Sequence, residues 1–580
     1  MNRTRVLFLA IVGIALLIVI AAAITRNNGG AGPGEATATA APLPRGTVKV
    51  TLASSNTKKV WLDQVVKGFN AARQKTAAGN AIVVEVSHVT SGASMNAILA
   101  GTLQPVAWSP GDPSWVEQAN TAWAREHGNR PLASQTCPAT IFAPLGFAMW
   151  RPMAEALGWP DKPIGWDTMV ALAADPDGWA SKGRPEWGRF TFGHTHPAYA
   201  NSGLLSMTTF VYGIAGKQDT LTVADVYAPQ VKEAMQLLEQ NTAKYGREAP
   251  AILDLMARQG TSYLHAAAVP EADAVRFNVE RGAELSFPLA FIFPSAGTIW
   301  ADHPYCVLDN APWVTPEQAE AAGIFRSYLL AREQQEMAID SYLRPLDRTI
   351  ALHAPLDLAH GTDPRVSPAT IPALPSPNAD ISAAVIDLFK ITKRKATIYL
   401  AIDVSGSMTG DKIQSARAAT AEFLRRLDPE DRVGALIFSN RVTVLQAPQR
   451  AGDVGEGLAQ RVLGLTSGGS TTLHDAVCQA SRALEDQRRA DRAAGAARLY
   501  GVILLSDGRD TASTVTENQM FATCLPSNAE TDGIKLFPIA FGSDADKDTL
   551  GRMASATGGR LYTADPGSIS DVYLSISAEQ

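Results

Sequence analysis

Residues 396–580 alternate short apolar runs with stretches of helical periodicity, and this alternation restricts the possible fold more than any other feature of the chain. The apolar runs are rich in β-branched side chains, as expected of strands that are buried on both faces. Strands of that kind, alternating with helices, indicate a mostly parallel sheet with helices on both sides. The pattern therefore predicts a doubly wound α/β domain, in which ligands bind beyond the carboxyl ends of the strands. The runs are residues 396–404, 433–439, 442–445, 499–505 and 535–541.

Polar side chains with oxygen ligands follow these predicted strands. Asp403 begins the sequence Asp-Val-Ser-Gly-Ser, and an extended backbone points the oxygens of Asp403, Ser405 and Ser407 to the same side. Thr471 follows a Gly-Gly-Ser turn, and Asp507 ends a neighbouring strand. Carboxylates and hydroxyls are hard ligands, so this set suits Mg²⁺, Ca²⁺ or Mn²⁺ better than zinc. Capping at strand ends would explain one such motif alone, but it is a poor explanation of all of them together.

With these motifs, residues 396–576 resemble a von Willebrand factor type A domain. The resemblance implies a metal-ion-dependent adhesion site in which Ser405, Ser407 and Thr471 contact the cation. In that site Asp403 and Asp507 act largely through water. Thr472 stays an alternative to Thr471, because the threonine register is open. An acidic side chain from a protein partner can take a further position on such a metal.

The segment 47–361 begins with a strand, a Ser/Thr-rich turn and a helix, and this pattern occurs twice. The first turn contains Ser54 and Ser55, and the second contains Ser91 and Gly92. Turns of this kind aim backbone N–H groups and hydroxyls at one point, which suits an anion or another polar ligand. Simple N-capping of the helices is the alternative explanation for each turn.

The same segment resembles a bacterial extracellular solute-binding protein of the two-lobed periplasmic type, nearer the molybdate- and sulfate-binding branch. The matching residues are Leu52-Ala53-Ser54-Ser55, Ser91-Gly92, residues 105–110, and His194-Thr195-His196-Pro197 with Asn201-Ser202-Gly203. The resemblance implies two lobes joined by crossover strands, with a small ligand or a peptide in the cleft. It gives these candidate ligand contacts: Ser54, Ser55, Ser91, Thr195 and Ser202. The turns contain no arginine, which argues against a purely oxyanionic ligand, and zinc at His194 and His196 lacks an evident third ligand.

Residues 6–24 form an unbroken apolar run that is long enough, as a helix, to cross a hydrocarbon core. Arg3 and Arg5 precede it, so the positive-inside rule predicts a cytoplasmic N-terminus and an extracytoplasmic remainder. A cleaved signal peptide is the alternative, since Ala21-Ala22-Ala23 offers a cleavage site. We therefore expect a single-pass protein of the cell membrane.

Shifts in composition divide the chain further. Gly-, Ala-, Thr- and Pro-rich residues after the apolar run indicate a flexible tether, and a second Pro-rich stretch covers residues 362–380. The cysteines fall in pairs on either side of that stretch, which suggests one disulfide per domain outside the membrane; buried free thiols are the alternative. The candidates are Cys137, Cys306, Cys478 and Cys524. The predicted organisation is a signal-anchor helix (1–26), a tether (27–46), a two-lobed domain (47–361), a Pro-rich linker and helix (362–395), and a doubly wound domain (396–580).

The formal net charge of −6 does not favour a general nucleic-acid-binding protein. The sequence contains no nucleophile elbow, zinc-protease motif or P-loop, so we expect no enzymatic activity. The leading interpretation is a membrane-anchored extracytoplasmic binding or adhesion protein with divalent-metal-dependent partner recognition and a small-ligand or peptide-binding domain. The alternative is a solute-capture component of an uptake system that uses its last domain for docking. A cytoplasmic chelatase-like role is disfavoured by the predicted export.

Overall fold

The computed structural model describes residues 46–577, apart from residues 135, 497 and 526–532. The predicted signal-anchor helix, and the predicted tether up to residue 45, lie outside the described residues. Within the described part of the chain, no helix has both the length and the apolar character needed to cross a bilayer.

The first lobe is built on a four-stranded sheet in the order β2-β1-β3-β9, with β1 parallel to β3 and β9 antiparallel to β3. Alternate residues of β1, such as Val50 and Leu52, pack against the buried face of the first helix, which carries Trp61, Val65 and Phe69. The strands are β1 (Thr47–Ser54), β2 (Ala81–His88), β3 (Ala107–Ser109) and β9 (Cys306–Val307). The helices are α1 (Lys59–Ala72), α2 (Ser91–Leu99), α3 (Pro113–Glu126), α11 (Pro316–Leu329) and α12 (Arg332–Asp340).

The second lobe has a five-stranded sheet in the order β6-β5-β7-β4-β8. β5 is parallel to both of its neighbours, whereas β4 is antiparallel to β7 and β8. The strands are β4 (Leu145–Trp150), β5 (Phe192–Thr195), β6 (Thr242–Gly246), β7 (Ala266–Pro270) and β8 (Leu289–Ile292). The helices are α4 (Arg151–Leu157), α5 (Trp166–Ala174), α6 (Asn201–Ala215), α7 (Val223–Val226), α8 (Pro229–Gln240), α9 (Ala249–Gln259) and α10 (Glu271–Arg281).

Paired crossover segments join the lobes, as the resemblance implies. Residues 140–145 and 299–302 run side by side, with backbone N–H donation from Thr140 to the carbonyl of Asp302 and from Leu145 to that of Ile299. A further segment crosses beside them, because Phe142 and Arg344 exchange both of their backbone hydrogen bonds. The chain therefore passes between the lobes at a three-segment junction.

The Pro-rich segment that follows is packed against the second lobe and is not a free linker. The Thr298 N–H donates to the carbonyl of Pro372, and the Leu374 N–H donates back to Thr298. Helix α13 (Ala379–Thr392) then buries Val385 and Leu388 in the core of the second lobe. The helix predicted within 362–395 is present as α13, and its apolar face attaches this segment to the second lobe.

The C-terminal domain has a six-stranded sheet in the order β12-β11-β10-β13-β14-β15. Its strands are parallel except for the edge strand β12, and helices cover both faces, which confirms the doubly wound prediction. The strands are β10 (Lys395–Asp403), β11 (Arg432–Phe438), β12 (Val442–Arg450), β13 (Arg498–Ser506), β14 (Ile534–Phe541) and β15 (Tyr562–Ala564). Helices α14 (Asp411–Arg426), α15 (Ala451–Leu463) and α19 (Ile569–Ser577) lie on one face, and α16 (Leu473–Ala493), α17 (Glu517–Thr523) and α18 (Lys547–Thr557) lie on the other.

Each domain contains one disulfide. Cys137, just before the first crossover, is bonded to Cys306 on β9. Cys478 on α16 is bonded to Cys524 at the end of α17. No cysteine in the described residues is free.

Candidate metal centre and interlobe cleft

Asp403 is fully buried at the carboxyl end of the central strand β10. Its Oδ1 accepts a hydrogen bond from the Ser405 backbone N–H (2.8 Å), and its Oδ2 accepts one from Ser506 Oγ (2.7 Å). Burial, and to a lesser degree the nearby Asp507, raises the pKa of the Asp403 carboxyl. The carboxylate therefore fixes the start of the loop that carries the two motif serines.

The hydroxyls of that loop meet the second predicted carboxylate. Ser405 Oγ lies 3.0 Å from Ser407 Oγ, and Ser407 Oγ donates to Asp507 Oδ1 at 2.6 Å. The other oxygen of Asp507 accepts from Lys412 Nζ, also at 2.6 Å. Asp507 is buried, whereas Ser407 is exposed, so the cluster opens to solvent at Ser407.

The predicted threonine lies in the same cluster. The loop that carries Thr471 is held against the serine loop by one hydrogen bond, in which the Gly406 N–H donates to the Gly469 carbonyl (2.9 Å). A β-carbon placed on Gly508 would lie 3.5 Å from Ser407 Oγ and 3.9 Å from Thr471 Oγ1. The Ser407 and Thr471 hydroxyls therefore both lie close to Gly508. The Thr472 hydroxyl is buried and has no hydrogen-bond partner within the described part of the chain.

This set of oxygens fits a small divalent cation. Ligands at about 2.1 Å in octahedral geometry lie about 3.0 Å apart, and the Ser405 and Ser407 hydroxyls have that separation. The carboxylates of Asp403 and Asp507 with the single ammonium of Lys412 give the cluster a net negative charge. No group of three or more His, Cys, Asp or Glu side chains in the described ranges is arranged to hold a metal, so a cation at this site would need the hydroxyls as ligands.

Sequence reasoning missed Lys412 and Ser506 at this site. Lys412 lies in the first turn of α14, and Ser506 ends β13 beside Asp507. Both are polar residues close to the motifs in the sequence. The pairing of β10 with β13 brings Ser506 to Asp403, and α14 places Lys412 beside Asp507.

The family comparison agrees with this geometry. The model of the von Willebrand factor type A domain matches residues 397–572. These residues form a von Willebrand factor type A domain. All of the predicted metal residues lie within the matched range.

Known proteins resemble separate parts of the chain. Human inter-alpha-trypsin inhibitor heavy chain H4 is 28% identical over 173 residues, which cover 29% of this chain and 18% of that protein. A von Willebrand factor type A structure from Catenulispora acidiphila has a TM-score of 0.28 at 20% identity and covers 32% of this chain and 42% of that one. A periplasmic thiamin binding protein has a TM-score of 0.42 at 12% identity and covers 63% of this chain and 99% of that one. This chain thus spans less than a fifth of the human relative.

The interlobe cleft gathers some of the predicted ligand residues. Ser55, Ser91 and Ser202 line a cavity of about 40 Å³ between the lobes. Ser54 is turned away, since its hydroxyl donates to the Ser55 carbonyl (3.3 Å). Thr195 is reached only through Ser202, because their hydroxyls bond each other at 2.7 Å. Three of the predicted hydroxyls therefore line the cleft, whereas those of Ser54 and Thr195 do not.

The lobes are closed on each other across this cleft. Asn56 Nδ2 donates to Glu248 Oε1 at 2.9 Å, and Trp115 Nε1 donates to Asn201 Oδ1 at 2.8 Å. The approach depends on Gly92, since a β-carbon there would lie 2.7 Å from the carbonyl oxygen of Ala198. The remaining cavity is far smaller than the roughly 300–1,000 Å³ of sites for organic ligands.

A buried lysine lies behind Ser55, although the predictions from the sequence mentioned only the absence of arginine in this turn. Lys58 Nζ donates to Ser55 Oγ (3.0 Å) and to the Ser109 carbonyl (2.7 Å), and it lies 3.1 Å from His303 Nδ1. Burial lowers the pKa of Lys58 well below its ordinary value, and the charge of Asp302 opposes that change. Its neighbours are acceptors, so three ammonium protons match them better than the two of a neutral amine.

The hydrogen-bond partners of Ser55 and Ser91 determine which hydroxyl protons the cleft offers. Ser55 Oγ accepts from Lys58 Nζ and also lies 3.1 Å from His303 Nδ1, so this ring nitrogen is a partner for the Ser55 hydroxyl within the protein. Ser91 Oγ accepts from the Gly111 N–H (3.0 Å), which leaves its own proton available. The Ser91 hydroxyl can therefore donate to a ligand with acceptor oxygens, in a cleft that is also lined by Arg247, Glu248 and Asp273.

The two histidines of the cleft motif contact protein groups. His194 is buried and bonds Glu239 Oε1 through Nε2 (3.1 Å). His196 Nδ1 accepts from the Ala198 N–H (3.1 Å), and its ring packs against Phe389 of α13. Burial lowers the pKa of His196 to about 3. These contacts give the pair a packing role between β5 and α13.

Proposed function

We propose that this chain is a membrane-anchored extracytoplasmic binding protein whose A domain captures a protein partner through a divalent cation. The observation that supports it is the convergence of Ser405, Ser407 and Thr471 with two buried carboxylates at a solvent-open strand edge. The apolar run at residues 6–24 supports the anchor. The two-lobed domain would bind a small ligand or a peptide, and the proposal includes no catalytic activity.

The charges of the site favour an acidic partner group. Ser405, Ser407 and Thr471 would hold Mg²⁺, Mn²⁺ or Ca²⁺ through neutral hydroxyls. Two carboxylates and the Lys412 ammonium give a net charge of minus one, so a divalent cation would leave one net positive charge. A carboxylate of the partner would neutralise that charge and complete the coordination of the metal.

The test uses Mn²⁺ as the probe on the full chain. Bound Mn²⁺ that keeps exchangeable water increases the relaxation rate of water protons, and an aspartate-containing peptide should lower this increase by displacing water. Excess Mg²⁺ or EDTA should abolish it. Ser407→Ala should weaken Mn²⁺ binding, whereas Ser467→Ala, which removes an exposed hydroxyl bonded to Thr409, should not. Equal Mn²⁺ affinity in the two variants would contradict the proposal.

Solute capture by the two-lobed domain is the second candidate. The observation that favours it is the Lys58 ammonium behind Ser55, together with the Ser91 hydroxyl as a donor. The probe is inorganic sulfate, a small ligand that carries only acceptor oxygens. Titration calorimetry should detect sulfate binding that is unaffected by EDTA. A chain that binds Mn²⁺ but no sulfate would assign the function to the A domain alone.

A further inference from the structure

A cavity lies beside the three-segment junction that joins the lobes. Its volume is about 290 Å³, close to the lower limit of the roughly 300–1,000 Å³ of sites for organic ligands. Each crossover segment contributes one wall residue, namely Phe142, Trp300 and Arg344. The rest of the wall comes from within residues 345–352 and 364–368. None of these residues lines the interlobe cleft or belongs to the metal centre, so the cavity is a third location.

Most of the wall is apolar and built from rings. Phe142 and Trp300 stand edge to face, with ring centroids 6.3 Å apart. Three prolines, Pro345, Pro364 and Pro368, add further ring faces. Aromatic side chains bind another flat ring through offset-stacked or edge-to-face contacts, in addition to the apolar area that is buried. The wall therefore suits a small ligand with a flat apolar body.

The uncharged polar side chains of the wall have protons to donate. Trp300 is only 8% exposed, and its Nε1 has no hydrogen-bond partner among the described residues. An indole N–H can only donate. Ser367 Oγ accepts from the Ala369 N–H (3.3 Å), which leaves the hydroxyl proton available to a ligand. A ligand in this cavity would therefore meet these groups with acceptor oxygens.

The charges of the wall leave one arginine for a ligand. The Arg344 guanidinium pairs with both carboxylate oxygens of Glu271 (2.6 and 2.7 Å), so its charge is balanced within the protein. Arg348 is exposed and has neither a hydrogen bond nor an ion pair within the described part of the chain, and the adjacent Asp347 pairs with Arg332. The described residues that line the cavity include no carboxylate. A single negative charge on a ligand would match this wall.

Packing at the junction is the simpler explanation of the aromatic residues. The Arg344 guanidinium lies over the rings of Phe293 (5.2 Å) and Trp300 (5.6 Å), so Trp300 helps to enclose the buried ion pair. That explanation accounts for the burial of the indole ring. It does not account for a cavity beside the ring, nor for a buried N–H that is left without an acceptor at a cost in free energy.

We propose that this cavity binds a small organic monocarboxylate with a flat apolar body, such as an aryl acetate. The rings of Phe142 and Trp300 would contact the body, and the Arg348 guanidinium would pair with the carboxylate, a geometry that arginine favours. Trp300 Nε1 and Ser367 Oγ would be further donors to the ligand oxygens. This site requires neither the metal of the A domain nor a ligand in the interlobe cleft.

Titration calorimetry of the full chain with 2-naphthylacetate tests the site, and 2-naphthylacetamide is the uncharged probe of the same shape. Arg348→Gln should weaken binding of the acid about ten-fold and leave binding of the amide unchanged. Arg125→Gln is the matched control, because it removes an exposed arginine of α3 that lies outside the cavity. No binding of the acid, or equal losses for acid and amide in Arg348→Gln, would overturn the proposal.

Trp300→Phe tests the buried donor. The variant keeps an aromatic ring at the junction and removes the N–H, so affinity for 2-naphthylacetate should fall about five-fold. Circular dichroism and thermal unfolding check that the variant is folded. Wild-type affinity in folded Trp300→Phe would contradict the assigned donor, and the exposed Arg348 supplies the independent test if the variant does not fold.

Hydrogen exchange locates the bound carboxylate. 2-Naphthylacetate should slow amide exchange in residues 348–352 and 365–367, which border the cavity, and this slowing should be absent in Arg348→Gln at the same ligand concentration. Slowing confined to residues 54–57 and 90–94 would assign the ligand to the interlobe cleft and would overturn the proposal.

Discussion

The candidate metal centre of the A domain and the interlobe cleft use the same kind of side chain beside opposite buried charges. Both lie beyond the carboxyl ends of parallel strands, and both present serine hydroxyls. Behind Ser405 and Ser407 lie buried carboxylates, whereas behind Ser55 lies the buried Lys58. Because a hydroxyl both donates and accepts, the charge buried behind it decides which role it takes. A carboxylate orients it to accept a cation, and an ammonium orients it to donate its proton to another acceptor.

Of the substitutions that test this comparison, Asp507→Asn is expected to have the largest effect on binding. The change removes a negative charge from the metal centre while keeping the shape of the side chain. Mn²⁺ affinity should fall about a hundred-fold, as for other groups that support a metal site, while sulfate binding in the cleft stays unchanged. Water-proton relaxation measures Mn²⁺ binding, and calorimetry measures sulfate binding. Asp544→Asn is the control, since it removes an exposed carboxylate beyond the end of the neighbouring strand β14.

Lys58→Met tests the role of the buried lysine in the interlobe cleft. Losing the hydrogen bond from a charged donor to Ser55 should weaken sulfate binding about thirty-fold, or about 2 kcal/mol. Because burial lowers the pKa of Lys58, wild-type sulfate affinity should fall as pH rises through that lowered value, when the ammonium loses its proton. The variant should lack this pH dependence.

The adjacent lysine is the control for that experiment. Lys59 is exposed and pairs with Asp63, so Lys59→Met should leave sulfate affinity and its pH profile unchanged. Circular dichroism checks that Lys58→Met is folded. If folded Lys58→Met binds sulfate as the wild type does, the buried cation does not set the role of Ser55.

Valine substitutions at Thr471 and Thr472 sharpen the assignment of the metal ligands. Thr471→Val removes a hydroxyl next to Ser407 and should weaken Mn²⁺ binding about ten-fold. Thr472→Val removes a buried hydroxyl that lacks a partner in the described residues, so Mn²⁺ binding should be unchanged and thermal stability equal or slightly higher. The reverse pattern of Mn²⁺ affinities would shift the ligand to Thr472.

Gly92→Ala is expected to have the smallest effect on ligand affinity. It tests which of the two sites depends on closure of the lobes. The new β-carbon would lie 2.7 Å from the Ala198 carbonyl oxygen, so the lobes must move apart. Sulfate affinity should fall about three-fold, a loss of less than 1 kcal/mol. Small-angle scattering should report a larger radius of gyration, and Mn²⁺ binding should not change. Gly323→Ala is the control, because no described atom lies within 4 Å of its added carbon.

The parts of the molecule that the sequence predicts well are those that have a local sequence pattern. The strands β10, β11, β13 and β14 are continuous apolar runs, and Asp403 and Asp507 come at or directly after the ends of two of them. Because parallel strands align their carboxyl ends at one edge, the convergence of these motifs follows from the fold. The metal centre could therefore be proposed before any coordinates.

Other features depend on contacts between distant residues and leave no local signal. Strand β6 contains Lys244 and Gly246, so its burial against β5 does not appear as an apolar run. Lys58 is buried because the carbonyl of Ser109 and the ring of His303, far away in the sequence, accept its protons. The Pro-rich composition of residues 362–380 predicted a linker, and the apolar face of α13 determines where that segment packs.

The disulfide between Cys137 and Cys306 makes the second lobe a covalently closed insertion in the first. The bond spans 169 residues and joins the chain just before it leaves the first lobe to the strand on which it returns. Closing a loop of this size in the unfolded chain is worth about 5 kcal/mol in the entropic account of disulfides. A single proteolytic nick anywhere in the enclosed lobe would leave both fragments bonded, so nicked protein would migrate as one species until a reductant separates it.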